Sequence, residues 1–117
     1  FPSNDSFKHY ELKWERWREM ACVVCADAEL AERLKALAKS LFVGMDGTGY
    51  ARCDLRMNAR GEIYLLEINP NCGVFYPPDE PGSADYILLN DSAGHRGFVE
   101  QIIRAALARK NNRESIA

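Results

Sequence analysis

Two extended runs decide the fold: YARCDLRM at residues 50–57 and EIYLLEIN at residues 62–69. The connection between them is Asn58-Ala59-Arg60-Gly61, a short segment that contains glycine. Two runs of this length with a short Gly-containing connection are typical of neighbouring antiparallel strands. The sequence therefore predicts a β-hairpin.

The predicted pairing places four polar side chains on one side of this hairpin. If the strands turn symmetrically about the connection, Asp54 faces Glu67 and Arg52 faces Asn69. Side chains alternate between the two sides of a strand, so these four point the same way. The opposite side is apolar and is predicted to face the core; it carries Cys53, Leu55, Leu66 and Ile68.

The polar side of the hairpin has two interpretations. Carboxylates directly opposite each other repel, which destabilises a strand pair. A divalent cation between Asp54 and Glu67 would remove that repulsion, and oxygen atoms of Asp, Glu and Asn suit Mg²⁺ or Mn²⁺. The alternative is a solvated polar face, which is common for charged strand residues. The hairpin alone leaves both open.

Taken together, the motifs resemble the C-terminal signature of ATP-grasp enzymes. That signature is an Arg-x-Asp strand, a turn, and an apolar strand that ends Glu-x-Asn before a Gly-containing loop. Here it corresponds to residues 52–54, 67–69 and Gly73. Upstream, Tyr10-Glu11-Leu12-Lys13-Trp14 is similar to the Tyr-x-x-Lys-aromatic strand of D-alanine–D-alanine ligases. The resemblance covers about residues 7–109. It implies an α+β fold, an antiparallel β-sheet with packing helices, as the C-terminal subdomain of an ATP-grasp fold.

The resemblance also implies a metal and ATP-phosphate site on the hairpin. Asp54 matches the carboxylate that holds one Mg²⁺ (or Mn²⁺). Glu67 matches the carboxylate that bridges two metals, and Asn69 matches a ligand of the second. Lys13 matches a lysine that reaches the transferred phosphate. Lys13 and Glu67 are therefore the implied ATP-binding residues.

Two further groups match the catalytic residues of such ligases. Arg52 matches a residue that stabilises negative charge on the reacting carboxyl group, and the backbone N–H of Gly73 matches its partner in that role. Ligases of this kind transfer the γ-phosphoryl group of ATP to a carboxylate, and an amine then attacks the acyl phosphate. The resemblance implies an ATP- and Mg²⁺-dependent carboxylate–amine ligase with small amino-acid-like substrates.

The loop after Gly73 departs from the D-alanine–D-alanine ligase pattern. Those ligases continue with Met-Thr and a Ser that binds the acceptor carboxylate, whereas this chain continues VFYPPDEPGS, residues 74–83. Ser83 could serve from a longer loop, although a turn-forming serine is the more common case. Phe75 and Tyr76 could line a pocket or cover the hairpin. The substrates therefore stay open. Alternatives are another ATP-grasp ligase, such as an amino-acid or glutathione-synthetase-like one, and a noncatalytic metal- or protein-binding remnant.

The rest of the chain predicts ordinary packing elements. We predict strands at 10–14 and 22–26, a helix from the N-cap Asp27 to Gly44, a loop at 70–83, a helix at 98–109 and a frayed tail at 110–117, so that the domain is 1–109. Cys22 and Cys25 have the spacing of half a zinc site, but no second half follows, so we expect buried, inert thiols. His9 and His95 are isolated, and we assign them no role.

The bulk composition limits the partners. The chain has 117 residues, of which 47% are hydrophobic, and a net charge of −2, which fits one compact domain without a nucleic-acid or membrane surface. The chain has four cysteines, and a domain of this length with a core needs no disulfides, which fits the reducing cytoplasm. The chain starts at Phe1 rather than Met, so we expect a piece of a longer ligase. The missing N-terminal half would carry the rest of the nucleotide site. We therefore expect the fragment alone to be inactive, and its exposed hairpin leaves self-association open.

Overall fold

A computed structural model describes residues 2–4 and 8–116. These residues form four α-helices, a 3₁₀ turn and one two-stranded antiparallel sheet, which confirms the predicted α+β class. In chain order the elements are α1 (Tyr10–Trp14), the 3₁₀ turn (Trp17–Glu19), α2 (Ala28–Gly44), β1 (Arg52–Met57), β2 (Ile63–Asn69), α3 (Ser83–Leu89) and α4 (Gly94–Ile116).

The hairpin of β1 and β2 has the predicted register at its open end. Asp54 pairs with Glu67, and Arg52 pairs with Asn69. Between Asp54 and Leu55 the register shifts, so that Leu55 pairs with Leu65. A shift of this kind leaves one extra residue unpaired on the opposite strand and bends it.

The shift overturns one prediction. Leu66 was predicted to face the core, but it is the extra residue of β2 and its exposed fraction is 64%. Leu65 takes the place opposite Leu55. The predicted arrangement of the four polar residues is unaffected, because they all lie on the far side of the bulge from the turn.

Helix α2 begins and ends where its sequence predicts. The Asp27 side chain accepts a hydrogen bond from the Leu30 N–H at 3.0 Å, which satisfies one of the unpaired donors of the first turn. No residue of α2 is fully buried. Its apolar side borders a groove of about 780 Å³ whose other walls come from β1, α3 and α4; the apolar lining includes Leu34, Phe42, Cys53, Leu55, Leu88 and Phe98.

The two other predicted strands are wrong. Residues 10–14 form α1, in which the His9 Nδ1 accepts a hydrogen bond from the Leu12 N–H at 3.3 Å and Leu12 is fully buried. Five residues are too few to separate a strand period from one helical turn, and the cap at His9 favours the turn.

Residues 22–26 adopt no regular structure. The only strands among the described residues are β1 and β2, and they pair with each other, so this run has no described strand beside it. Val23 is 84% exposed, and Cys22 and Cys25 are exposed free thiols rather than buried ones.

The C-terminal part contains one helix that the sequence analysis did not predict. Helix α3 occupies Ser83–Leu89, directly after the Pro-rich loop, and packs against α4. Helix α4 runs from Gly94 to Ile116 and so includes residues predicted to be a tail. No helix in the described ranges combines the length and the apolar character needed to cross a membrane.

Few apolar residues are completely removed from water within the described residues. The apolar residues that are fully buried are Leu12, Cys72 and Ala84. The radius of gyration is 16.6 Å, whereas a compact domain of about 100 residues has a radius near 13 Å. The hairpin and α2 therefore face each other across the groove without forming a closed core.

The difference in burial between Cys72 and the exposed Cys22 and Cys25 predicts the order in which these thiols are alkylated. Burial raises the pKa of the Cys72 thiol, and the side chain is 4% exposed. Only the thiolate reacts, so Cys72 should react more slowly than the exposed Cys22 and Cys25. Mass spectrometry of iodoacetamide-treated protein at neutral pH measures the order. Cys72 and Cys22 should react at equal rates only in denaturant. Equal rates in the folded protein would contradict the structure.

Candidate functional site

The polar side of the hairpin brings together the side chains that the sequence singled out. The Arg52 Nε donates to the Asp54 Oδ1 at 2.6 Å, and the Arg52 Nη2 donates to the Asp54 Oδ2 at 2.9 Å. This bidentate hydrogen bond raises the pKa of Arg52 above its ordinary value, with a further contribution from the charge of Glu67. Asp54 and Glu67 sit opposite each other across the strands.

The Arg52 guanidinium changes the electrostatic argument for a cation. It lies against Asp54 and compensates part of the repulsion between the two carboxylates. The side chains of Arg52 and Asp54 are 22% and 39% exposed, so their pairing is only partly screened by water. A cation is therefore not required to explain why two carboxylates face each other. Two carboxylates and one guanidinium nevertheless leave an excess of negative charge on this face.

The donor set of this face fits a hard divalent cation that keeps other ligands. Asp54 and Glu67 supply carboxylate oxygens, and Asn69 supplies an amide oxygen that accepts a hydrogen bond from the Asn71 N–H at 3.1 Å. Mg²⁺ commonly takes one or two carboxylates and completes its shell with water and phosphate. Among the described residues, no cluster of three or more His, Cys, Asp or Glu side chains has the geometry of a closed metal site.

The loop after β2 folds back over Gly73. A Cβ atom at Gly73 would lie 2.6 Å from the Tyr76 hydroxyl oxygen, and one at Gly82 would lie 2.8 Å from the Tyr76 Cδ2. Neither Gly73 nor Gly82 has a positive φ, so the backbone conformation does not require glycine at these positions. A larger residue is disfavoured there because the Tyr76 ring is close. The Tyr50 hydroxyl donates to the Cys72 carbonyl at 3.3 Å, which ties the start of β1 to the same loop.

One buried carboxylate, Asp85, holds this loop in place. Its side chain is 3% exposed. Oδ1 accepts a hydrogen bond from the Phe75 N–H at 2.8 Å, and Oδ2 accepts from the N–H groups of Tyr76 and Gly82 at 3.3 and 3.0 Å. The His95 Nε2 lies 2.8 Å from Oδ1. All polar contacts of Asp85 therefore converge from the loop and from α4.

Phe75 has an unusual backbone conformation within the loop. Its φ is 66°, in the left-handed region that a residue with a side chain rarely adopts. The Phe75 N–H donates a hydrogen bond to the Asp85 Oδ1. The Phe75 ring packs against His95 and Phe98, with ring centroids 5.5 and 6.3 Å away. Strained backbone of this kind persists only where surrounding contacts determine it.

Sequence reasoning missed Asp85 and assigned no role to His95. The available signal was Gly82-Ser83-Ala84-Asp85, in which an acidic residue stands three positions after a helix N-cap. That pattern predicts the bond from Asp85 to the Gly82 N–H. The bonds to Phe75, Tyr76 and His95 span nine or ten residues along the chain and follow from no local pattern.

Lys13 and Ser83 lie outside the hairpin face. Lys13 is on α1 rather than on a strand, and its Nζ lies 4.9 Å from the centroid of the Trp14 ring. Ser83 is the first residue of α3, and its Oγ accepts a hydrogen bond from the Lys8 Nζ at 3.3 Å. The structure thus joins Arg52, Asp54, Glu67 and Asn69 on one face, with Gly73 in the loop that follows.

Comparison with known proteins identifies a family over the same part of the chain. The family model described as "D-ala D-ala ligase C-terminus" matches residues 2–76, which include the hairpin and Gly73. That match covers more than half of the chain, and the chain belongs to this family. The resemblance deduced from the sequence is thereby confirmed.

Individual relatives agree with the family. The chain is similar to proteins named D-alanine–D-alanine ligase from Enterococcus faecalis (28% identical, 89% of this chain and 29% of the relative), Chromohalobacter salexigens (27% identical, 79% and 27%) and a Psychrobacter species (30% identical, 80% and 26%). The chain thus spans less than a third of the length of these relatives. No solved structure gives a significant match.

The buried Asp85 predicts a pH-dependent stabilisation of the loop. Burial alone would raise the pKa of Asp85, but hydrogen bonds from His95 and from the Phe75, Gly82 and Tyr76 N–H groups outweigh it and lower the pKa. A lowered folded-state pKa means that the stabilisation is complete above the unfolded value of about 3.9 and is lost as the pH falls through the folded value.

Asp85→Asn should therefore accelerate amide hydrogen exchange at Phe75 and Tyr76, by an amount equivalent to about 1.5–3 kcal/mol near pH 6. The difference from the wild type should shrink as the pH falls below the ordinary range of aspartate and through the lowered folded-state value, since Asp85 then becomes protonated in the wild type as well. Asp91→Asn is the matched control, because Asp91 is exposed and its Oδ1 accepts a hydrogen bond from the Ala93 N–H at 2.8 Å, just before α4 and away from the loop. A difference that is constant with pH would contradict the assignment.

Proposed function

We propose that this chain is the metal- and phosphate-binding part of an ATP-dependent carboxylate–amine ligase related to the D-alanine–D-alanine ligases. The observation that carries the proposal is the convergence of Arg52, Asp54, Glu67 and Asn69 on one side of one hairpin. The family match and the names of the relatives support it. Residues 1–109 act as the C-terminal ATP-grasp subdomain, with 110–117 as an appendage, in the cytoplasm, where four free thiols are stable.

The proposed reaction has two steps. A carboxylate oxygen of the first substrate attacks the γ-phosphorus of ATP, the bond to the β-phosphate oxygen breaks, and ADP leaves. An amine then attacks the acyl phosphate, inorganic phosphate leaves with the bonding electron pair, and the new amide forms after the amine loses a proton. Small amino-acid-like compounds supply the carboxylate and the amine.

Arg52 and Gly73 serve the second step. The tetrahedral intermediate carries negative charge on the former carbonyl oxygen, and fixed hydrogen-bond donors stabilise it. Arg52 is held in place by Asp54, so it needs little reorganisation. The Gly73 N–H lies at an exposed position on the next loop. Lys13, on α1, binds the transferred phosphate in the whole protein.

Asp54, Glu67 and Asn69 would hold Mg²⁺ or Mn²⁺ together with the phosphates of ATP. Such a cation neutralises the negative charge that accumulates during phosphoryl transfer. Asp54 already accepts two hydrogen bonds from Arg52, so Asp54 shares its oxygens between the guanidinium and the cation. Glu67 is exposed and would be the second carboxylate ligand, with its oxygens used for the cation alone.

The ion pair between Arg52 and Asp54 also supports one rival. A noncatalytic domain could keep this hairpin as a binding surface, since the pair is satisfied without a cation. A ligase with a different amine, including a glutathione-synthetase-like one, is a second rival because the loop at 73–83 departs from the D-alanine–D-alanine ligase pattern. Activity and substrate range of the full-length protein separate the three.

Glu67→Gln in the full-length protein should reduce ATP-dependent ligation of D-alanine about 100-fold or more, because it removes a carboxylate ligand of the proposed cation that neutralises charge during phosphoryl transfer. ADP release coupled to an enzymatic assay measures the rate. Glu62→Gln is the control: Glu62 lies at the turn end of the same hairpin, beside Tyr64, and outside the site. Equal activities of the two variants would refute the role of Glu67, and a wild type that releases no ADP with any amino acid would favour the noncatalytic alternative.

Mn²⁺ should broaden the NMR signals of Asp54, Glu67 and Asn69 through its unpaired electrons, and Glu67→Gln should abolish the broadening. Adding ATP should strengthen binding, because the phosphates complete the cation's shell. The titration can be made on this chain and on the full-length protein. Broadening centred elsewhere, or unaltered in Glu67→Gln, would contradict the proposed ligands, and release of ADP by this chain alone would contradict its expected inactivity.

A further inference from the structure

The loop between Gly73 and α3 is set by long-range contacts rather than by its own sequence. Three of its N–H groups, those of Phe75, Tyr76 and Gly82, are bound by one carboxylate. That carboxylate belongs to Asp85 in α3, and His95 in α4 lies against its Oδ1. The conformation at Gly73 is thus coupled, through the loop, to Asp85 in α3 and His95 in α4.

The Tyr76 ring transmits this restraint to Gly73. The Tyr76 N–H is held by Asp85 Oδ2, and its hydroxyl oxygen and ring edge pack directly on the Cα side of Gly73. The ring also lies against Gly82, so it bridges the two ends of the loop, although 54% of Tyr76 remains exposed. Displacement of Tyr76 would free the backbone at Gly73 to move.

We propose that Asp85, together with His95, is a positioning residue of the site: through the backbone of residues 75–82 and the Tyr76 ring, it fixes the Gly73 N–H relative to Arg52. This inference rests on the proposed function, in which that N–H stabilises the oxyanion. Asp85 is buried behind the loop, so it contacts neither substrate nor nucleotide. Its effect falls on the step with the amine and leaves ATP binding unchanged.

The division of partners between the two Asp85 oxygens makes Asp85→Asn a sharp test. Oδ1 serves Phe75 and His95, whereas Oδ2 serves Tyr76 and Gly82. An Asn side chain has one acceptor oxygen, so its NH₂ group must face an N–H of the loop in either orientation. The side-chain volume stays nearly the same, and the loop loses its anchor on one side.

Gly73 can be observed directly because Cys72-Gly73 is the sole Cys-Gly step in this sequence. In full-length protein labelled with ¹³C-carbonyl cysteine and ¹⁵N-glycine, the Gly73 amide is identified as the Cys–Gly signal that disappears in Cys72→Ser. Asp85→Asn should move this signal, because the Tyr76 ring leaves Gly73. Asp91→Asn should not move it, since Asp91 is exposed and its side chain bonds the Ala93 N–H rather than the loop. His95→Gln is the second variant in case Asp85→Asn fails to fold, and should move it in the same direction by a smaller amount.

Kinetics of the same proteins give the functional readout. Asp85→Asn should lower kcat/KM for the amine about tenfold, as expected when a reacting group is misplaced, while KM for ATP stays within about twofold of the wild type. A Gly73 signal that stays unmoved in both Asp85→Asn and His95→Gln overturns the inference, as does an equal effect on both substrates. In those cases the wild-type activity still stands, so the ligase proposal survives. A wild type without ADP release refutes the ligase proposal itself and the positioning role with it.

Discussion

The antiparallel backbone hydrogen bonds between β1 and β2 determine where the charged groups of the hairpin face lie. Because partners in a ladder share one side of the sheet, the pairs of Arg52 with Asn69 and of Asp54 with Glu67 bring four polar side chains into one patch. The bulge begins immediately after Asp54, so the regular register covers the four polar residues and stops there. A shift of one residue would turn the carboxylates to the other side of the hairpin.

Charge explains why this patch is tolerable before any ligand arrives. Two carboxylates and one guanidinium leave a local excess of negative charge, reduced by the bidentate contact between Arg52 and Asp54. A proposed cation with its phosphates would bring charges of both signs to the same face. Arg52 would then be able to pair with developing negative charge on a substrate, while Asp54 turns to the cation. In the proposed function, the arrangement would therefore be a network whose pairs exchange, and its energy would depend on what is bound.

The sequence predicted the features that depend on local patterns. The hairpin, its register at the polar end and the cap at Asp27 follow from spacing and residue type. The bulge at Leu66 does not, because strand composition carries no signal for one extra residue. Residues 10–14 and 22–26 were misjudged since an apolar run forms a strand only where another strand lies beside it. Asp85 was missed because its hydrogen bonds require the folded positions of α3, α4 and the loop.

The open groove between α2 and the hairpin has a thermodynamic consequence. Most of the apolar residues around its 780 Å³ remain partly in contact with water in the folded state. Unfolding this chain therefore exposes less additional apolar surface than unfolding a closely packed domain of the same length, and exposed apolar surface is what raises the heat capacity on denaturation. The stability of the chain should therefore vary less with temperature than that of such a domain, and its calorimetric transition should be broader. Any segment that fills the groove would sharpen that transition, so that cooperativity of melting becomes a measure of how completely the apolar side of α2 is covered.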